Sequence, residues 1–269
     1  MIEASPIVAN KARDVGAHAW LDGLDDLVGD LCREWELTLG AALDGGTEAF
    51  VAEVMMSDST PAVLKLMIPR RHDDALGANA ARHEATVLSL ADGAGCARLF
   101  NRDLEHGALL MERLGPSLFE LGVPMLEQHR IMVDCAAALW RPIGEIDLTT
   151  GATKAQWLID VVTAEWERLD RPCAERTIDH AVACAERRLA AHDDERAVLV
   201  HGDIHQWNTL RTLDLRSHKL IDPDGLIAER EYDLGILMRE DPVELMQGDP
   251  FDRAAWLADR TGLDPTAIW

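Results

Sequence analysis

The chain has 269 residues, with 48 acidic side chains against 26 basic ones and a formal net charge of -22. That length makes one large domain or two small ones, and 48% hydrophobic residues supply a sizeable core rather than a disordered chain. So negative a chain is a poor general binder of nucleic acid, because phosphate needs Lys and Arg, and a poor ligand for anionic lipid. A cationic small molecule suits it, although acidic surface also serves solubility.

No apolar run approaches the roughly 18 residues of a membrane span. The start, MIEASPIVANKARDV, lacks a charged region followed by an apolar one, so no secretory leader is expected. The five cysteines are widely spaced, without a CxxC pair, which reads as reduced thiols, mostly buried fillers, in a cytoplasmic protein. Lysine is scarce: Lys11, Lys65, Lys154 and Lys219 are the only four. A lysine inside an apolar stretch therefore stands out.

Residues 1–18 read as a lightly packed lead-in. Apolar residues at helical spacing predict one amphipathic helix over 21–37. The period then shortens, and 37–43, 49–56 and 62–68 read as a three-stranded meander with turns at Asp44-Gly45-Gly46 and Ser57 to Pro61. A helix is expected from Asp73 to about Asp92, ended by Gly93 and Gly95. A hairpin follows over 97–103 and 107–114. After Gly115-Pro116 the pattern is helical near 124–140, 153–169 and 174–192. A short strand at 197–200, a small hairpin at 210–213 and 218–222, and a Pro-punctuated helical end complete it. Strands first and helices later predict an α+β chain, with a β-rich lobe over 1–113 and a helical lobe over 114–269.

The strongest local signal is His201-Gly202-Asp203-Ile204-His205-Gln206-Trp207-Asn208, placed between two apolar strands. Asp222 ends the next hairpin, nineteen residues after Asp203. One carboxylate can take a proton from a hydroxyl, while an amide oxygen and a second carboxylate can hold a hard cation such as Mg2+. Protein kinases divide the labour in that way. Alone, each residue reads as a turn former. His201, Asp203 and His205 also invite a metal-dependent hydrolase, but no third cluster with zinc-like spacing accompanies them.

HGDIHQWN resembles the H-G-D-x-H-x-x-N catalytic loop of the aminoglycoside phosphotransferases and related small-molecule kinases. IDPDG resembles their metal-site segment. LDGGTEAFVAEVMMSDSTPAVLKLMIP, HEATVLSLADGAGCARLFNRD, GALLMERLG and EREYDLGILMRED are similar to the branch of streptomycin 6-phosphotransferases and hydroxyurea phosphotransferases, so the resemblance spans most of 30–264. It implies a bilobal protein-kinase-like fold and phosphoryl transfer from ATP to a hydroxyl.

By this resemblance, Asp203 is the catalytic base, and Asn208 and Asp222 hold Mg2+. Lys65 reaches the ATP phosphates, although a strand lysine normally marks an exposed edge. Glu84 pairs with Lys65, with Glu53 and Glu48 as weaker substitutes. Gly45, Gly46 and Thr47 occupy the place of the glycine-rich loop, departing from G-x-G-x-x-G. Glu112 lies in the linker whose backbone would meet adenine, and Asp233 steadies the catalytic loop from behind. Trp207 reads equally as core or as a substrate contact.

Residues 222–264 hold twelve acids against four arginines. Such a field would attract a guanidinium-bearing acceptor, which favours streptomycin over hydroxyurea, another metabolite, or a non-catalytic nucleotide-binding regulator. Nothing in the sequence sets an oligomeric state. Members of this branch usually continue with further helices after the point where Trp269 stands, so the resemblance implies an acceptor site short of part of its wall and weak phosphotransfer.

Overall fold

The computed structural model describes residues 2–44, 46–70 and 80–269. Gly45 and the start of the helix expected from Asp73 lie outside them. In chain order the elements are helices α1 (Pro6–Asp14), α2 (His18–Asp22) and α3 (Leu24–Glu34), then strands β1 (Thr38–Ala42), β2 (Ala49–Met55) and β3 (Pro61–Met67). Helix α4 (Ala80–Ala91) precedes β4 (Leu99–Asp103) and β5 (Ala108–Glu112). Then come α5 (Met125–Leu139), β6 (Thr149–Thr150), α6 (Gly151–Arg168), α7 (Glu175–Ala191) and β7 (Val198–Val200). Short strands β8 (Thr209–Arg211), β9 (His218–Leu220) and β10 (Leu226–Ala228) lead to α8 (Glu231–Leu237), α9 (Pro242–Leu245), α10 (Pro250–Thr261) and α11 (Pro265–Ile268).

The chain forms two compact units. One comprises Met1–Leu121 with Leu210–Ile221, and the other Gly122–Thr209 with Asp222–Trp269. The division thus falls after Leu121 rather than after residue 113, and the small hairpin belongs with the first unit. Backbone bonds explain this: Gly115 donates to the Arg211 carbonyl at 2.7 Å and Arg211 to the Pro116 carbonyl at 3.0 Å.

The first unit is built on an antiparallel sheet in the order β1-β2-β3-β5-β4. Directly opposed residues share a face. Val51 opposes Lys65, Glu53 opposes Val63, and Lys65 opposes Leu109, so these line one face. Phe50, Ala52, Val54, Leu64, Leu66 and Leu110 line the other and pack against Leu24, Val28 and Leu31 of α3. Helix α3 therefore seals one face, and Lys65 is left on the opposite one.

Two local expectations change. The 21–37 helix is broken at Gly23, which closes α2 and opens α3. The apolar stripe runs through the break, so periodicity alone does not reveal it. Residues 1–18 are not loosely packed either: Ser5 caps α1 by accepting from Val8 N, and Val8 and Ala12 are buried against Ile68.

The second unit is mainly helical, with a sheet in the order β6-β10-β7 whose core is Val198, Val200, Leu226 and Ala228. Asp241, Asp249 and Asp264 cap α9, α10 and α11 by accepting from Glu244 N, Phe251 N and Thr266 N. A quarter of the twelve acids thus have structural work at helix N-termini. Of the five cysteines only Cys96 and Cys135 are buried, so core filling accounts for fewer than expected. Among the described residues no helix is long and apolar enough to cross a membrane.

Candidate active site

In the second unit, β7 is fully buried and delivers the chain into His201-Gly202-Asp203. Asp233, wholly enclosed on α8, anchors this turn. Its Oδ1 accepts from Gly202 N at 2.8 Å, and its Oδ2 accepts from His201 N at 3.1 Å and Trp140 Nε1 at 2.8 Å. Burial raises the Asp233 carboxyl, and these donors only partly offset it. Gly202 has φ +89, and a Cβ there would stand 2.9 Å from the Asp224 Cβ and from Leu226 Cδ1. Only glycine lets the loop lie this close to the segment that follows Asp222.

The loop closes on itself through its polar side chains. Asp203 N donates to His201 Nδ1 at 3.2 Å, so His201, fully buried, is a brace. Asn208 Nδ2 donates to the Asp203 carbonyl at 3.1 Å and to its Oδ2 at 3.4 Å. The NH2 end of Asn208 is thereby spent on the loop, which leaves its amide oxygen to a hard cation. His205 Nδ1 accepts from Trp207 N at 3.2 Å, which puts the proton on Nε2, 3.4 Å from Asp203 Oδ2. Trp207 is half exposed, so it is not a core residue.

Arg239 Nη2 forms an ion pair with Asp203 Oδ1. Burial alone raises the Asp203 carboxyl, but His205 and Arg239 outweigh it and hold the group down to about 2. Asp203 is therefore a carboxylate at any physiological pH. Asp222 sits at φ +58, two residues before Asp224, and Lys154 Nζ lies 3.7 Å from Asp224 Oδ2. Asn208 and Asp222 are oxygen donors that suit Mg2+, which keeps several waters and needs only one or two protein ligands. Among the described residues no group of three His, Cys, Asp or Glu is placed to hold a metal, so His201, Asp203 and His205 do not form a hydrolase centre.

In the first unit, Lys65 Nζ donates to both Glu84 oxygens, at 2.8 and 2.6 Å. Lys65 is 6% exposed and Glu84 2%. The lysine stands in the centre of the sheet, not at an edge. Glu53 pairs with Arg113, and Glu48 with Lys11 and Arg70, so neither substitutes for Glu84.

Gly46 makes a tight turn, where a Cβ would lie 2.8 Å from the Ala49 carbonyl oxygen, and Thr47 is exposed beside it. Glu112 is braced within the unit. Its N–H donates to the Arg98 carbonyl at 2.8 Å, and its Oε2 accepts from Lys219 Nζ at 2.6 Å and Arg98 N at 3.0 Å. A hollow of about 240 Å3 adjoins the Glu53–Arg113 pair, away from Lys65.

Sequence reasoning missed Arg239, Lys154, Asp224 and Trp140. Lysine scarcity was a usable signal for Lys154, since all four lysines are paired with an acid: Lys11–Glu48, Lys65–Glu84, Lys154–Asp224 and Lys219–Glu112. Arg239 carried no such signal, being one arginine in an acidic run.

Residues 34–261 match the family model described as aminoglycoside/hydroxyurea antibiotic resistance kinase. The chain is 29% identical over 237 residues to a streptomycin 6-kinase of Streptomyces glaucescens, covering 85% of this chain and 72% of that one. It is 28% identical over 221 residues to a hydroxyurea phosphotransferase of Kitasatospora aureofaciens, covering 80% of this chain and 61% of that one. Among solved structures it resembles the choline kinase LicA of Streptococcus pneumoniae, at a TM-score of 0.56 and 15% identity over 90% of this chain and 81% of that one. LicA has also been solved with AMP. At that identity the likeness establishes the kinase-like α+β fold. With the family model matched over most of its length, the chain belongs to the aminoglycoside/hydroxyurea antibiotic resistance kinases, a family of small-molecule phosphotransferases.

Proposed function

We propose that this chain transfers the γ-phosphoryl group of ATP to a hydroxyl of a small cationic acceptor, with the 6-hydroxyl of streptomycin the first choice. The observation that carries the reading is the Asp233-pinned loop, which holds Asp203 ionised beside Asn208 in a chain of this kinase family. Asp203 orients the acceptor hydroxyl and receives its proton. Its low pKa suits a transfer in which the proton leaves late and positioning supplies most of the rate.

Lys65, fixed by Glu84, offers one buried positive charge to the phosphates. Glu84 holds that ammonium in place through both of its oxygens. Asn208 and Asp222 are the residues that would hold Mg2+, which neutralises phosphate charge when bound with ATP. Gly46 and Thr47 would border the phosphates through backbone N–H groups. Glu112 acts as a brace for the linker.

The acidic second unit favours a cation as acceptor, and the net charge of -22 disfavours nucleic acid and anionic membrane as partners. Free thiols and a need for ATP fit a cytoplasmic enzyme. Similarity to a hydroxyurea phosphotransferase supports a second reading in which the acceptor is small and neutral.

One experiment separates these readings: ADP release with Mg2+ and ATP against streptomycin, other aminoglycosides and hydroxyurea, each with wild type and Asp203→Asn. Acceptor-dependent turnover with streptomycin, lost in Asp203→Asn, is expected. Turnover unaffected by the substitution would remove Asp203 from the role of base.

A further inference from the structure

Beyond helping to keep Asp203 ionised, Arg239 is given no role in the transfer described above, and its guanidinium pairs with the Asp203 oxygen Oδ1. The other oxygen, Oδ2, faces Asn208 Nδ2 and His205 Nε2, both at 3.4 Å. The carboxylate thus already faces three protein donors, and Oδ1 is held by a single movable side chain.

The turn that presents Arg239 is built, not incidental. It follows α8, whose Asp233 anchors the catalytic loop, so base and guanidinium are held by one short helix. Behind it, Arg253, with a side chain only 9% exposed, donates to the carbonyls of Leu237 at 3.0 Å, Glu240, and Asp241 at 3.5 Å. Asp241 adopts φ +44 to make the turn. Three carbonyls gathered by one buried guanidinium fix the backbone at residue 239. The Arg239 side chain is by contrast 59% exposed, and its Nε lies 3.6 Å from Glu240 Oε1, a carboxylate on which it can rest when it leaves Asp203.

We infer that Arg239 is a gate on the catalytic base: it holds Oδ1 of Asp203 until an acceptor hydroxyl displaces it, and it thereby keeps water from being used as the acceptor. This rests on the kinase reading of the site. In the reaction it suppresses, a water oxygen forms a bond to the γ-phosphorus and the bond from that phosphorus to the β,γ-bridging oxygen breaks. ADP and phosphate result, and the water proton passes to Asp203 and on to solvent. Exposed ion pairs are weak, so an acceptor that binds its remaining groups elsewhere displaces the arginine at little cost. Water has no such other contacts and displaces it only in the minor fraction of time the pair is open.

The test is ADP release from ATP and Mg2+ with no acceptor present, for wild type, Arg239→Met, Arg239→Lys and the double variant Arg239→Met/Asp203→Asn. Arg239→Met is expected to release ADP about five-fold faster than wild type, the factor set by losing an exposed ion pair. Arg239→Lys should fall between them, and the double variant should return to the wild-type rate or below. With an accepted substrate, Arg239→Met should lower the acceptor KM while kcat holds.

A merely structural arginine would lower the melting temperature without raising ADP release, and that result overturns the gate. So does a fall in kcat, which would make Arg239 an aid to transfer, or a raised rate that persists in the double variant. Binding of ATP is followed separately by calorimetry. A chain that binds no ATP defeats the kinase reading first and the gate with it, whereas ATP binding with unchanged release in Arg239→Met defeats the gate alone.

Discussion

Two cation–carboxylate pairs, one in each unit, differ most in burial. Lys65–Glu84 is closed off on all sides, with side chains 8% and 3% exposed. Asp203–Arg239 is open, at 33% and 59%. A buried charge cannot lose its partner without being stranded in a poor solvent, so the first pair is permanent. An exposed pair is worth little, so a ligand that binds through further contacts can displace it, and the second pair is exchangeable. The role proposed for Lys65, holding phosphate, needs the first property, and the role proposed for Asp203, admitting a hydroxyl, needs the second.

The sharpest way to break this contrast is to remove the exchangeable carboxylate. Asp203→Asn should lower kcat by roughly 10²- to 10⁴-fold, the usual share of a general base, while ATP affinity measured by calorimetry stays within about two-fold, as for a group that does not touch the nucleotide. A comparable loss of ATP affinity would mean that Asp203 also holds phosphate.

Removing the permanent carboxylate should instead act on stability. Glu84→Gln strands Lys65 in the core and should cost about 3–5 kcal/mol in urea unfolding. Replacing both partners with apolar residues of similar size should recover much of that loss. A Glu84→Gln cost below about 1 kcal/mol would place this pair in the same class as the exposed one.

A third test concerns the support behind Arg239. His129 is buried beside Trp256, its Nε2 has no hydrogen-bond partner among the described residues, and its pKa is pushed down to about 4, first by burial and then by the charge of Arg253. The unfolded chain binds this proton near pH 6.5 and the folded chain only near 4, so stability is full above 6.5 and falls as pH drops through that window. The loss should be on the order of 3 kcal/mol by pH 4. His129→Phe should remove this slope, read as urea midpoints from pH 8 to 4. An unchanged slope would put the titrating group elsewhere.

The smallest effect belongs to Arg239→Met, which should change unfolding free energy by under about 1 kcal/mol. A larger cost would make Arg239 a strut of the Lys65 kind and would narrow the contrast.

Much of the site was legible because it is local in sequence. Asp203, His205 and Asn208 share one loop, and Lys65 stood out as a rare lysine in an apolar strand. The meander was legible from its short apolar runs and Gly-rich turn. Of the β6-β10-β7 sheet only β7 was, as the strand expected at 197–200; β6 and β10, of two and three residues, carry no readable period and pair only through tertiary contact. The packing of α1 was equally hidden, since Val8 and Ala12 pack with Ile68, which arrives from the end of β3.

Composition and motif by themselves determined the chemistry on offer: an acidic α+β chain with a base, two oxygen donors and one strand lysine. Tertiary structure decided which charge answers which. Arg239 meets Asp203 across 36 residues, Trp140 meets Asp233 across 93, and Lys219 meets Glu112 across 107. With 48 acids for 26 basic side chains, sequence offers each cation many equivalent partners. Only the fold sets the distances and burial on which the strength of each ion pair depends.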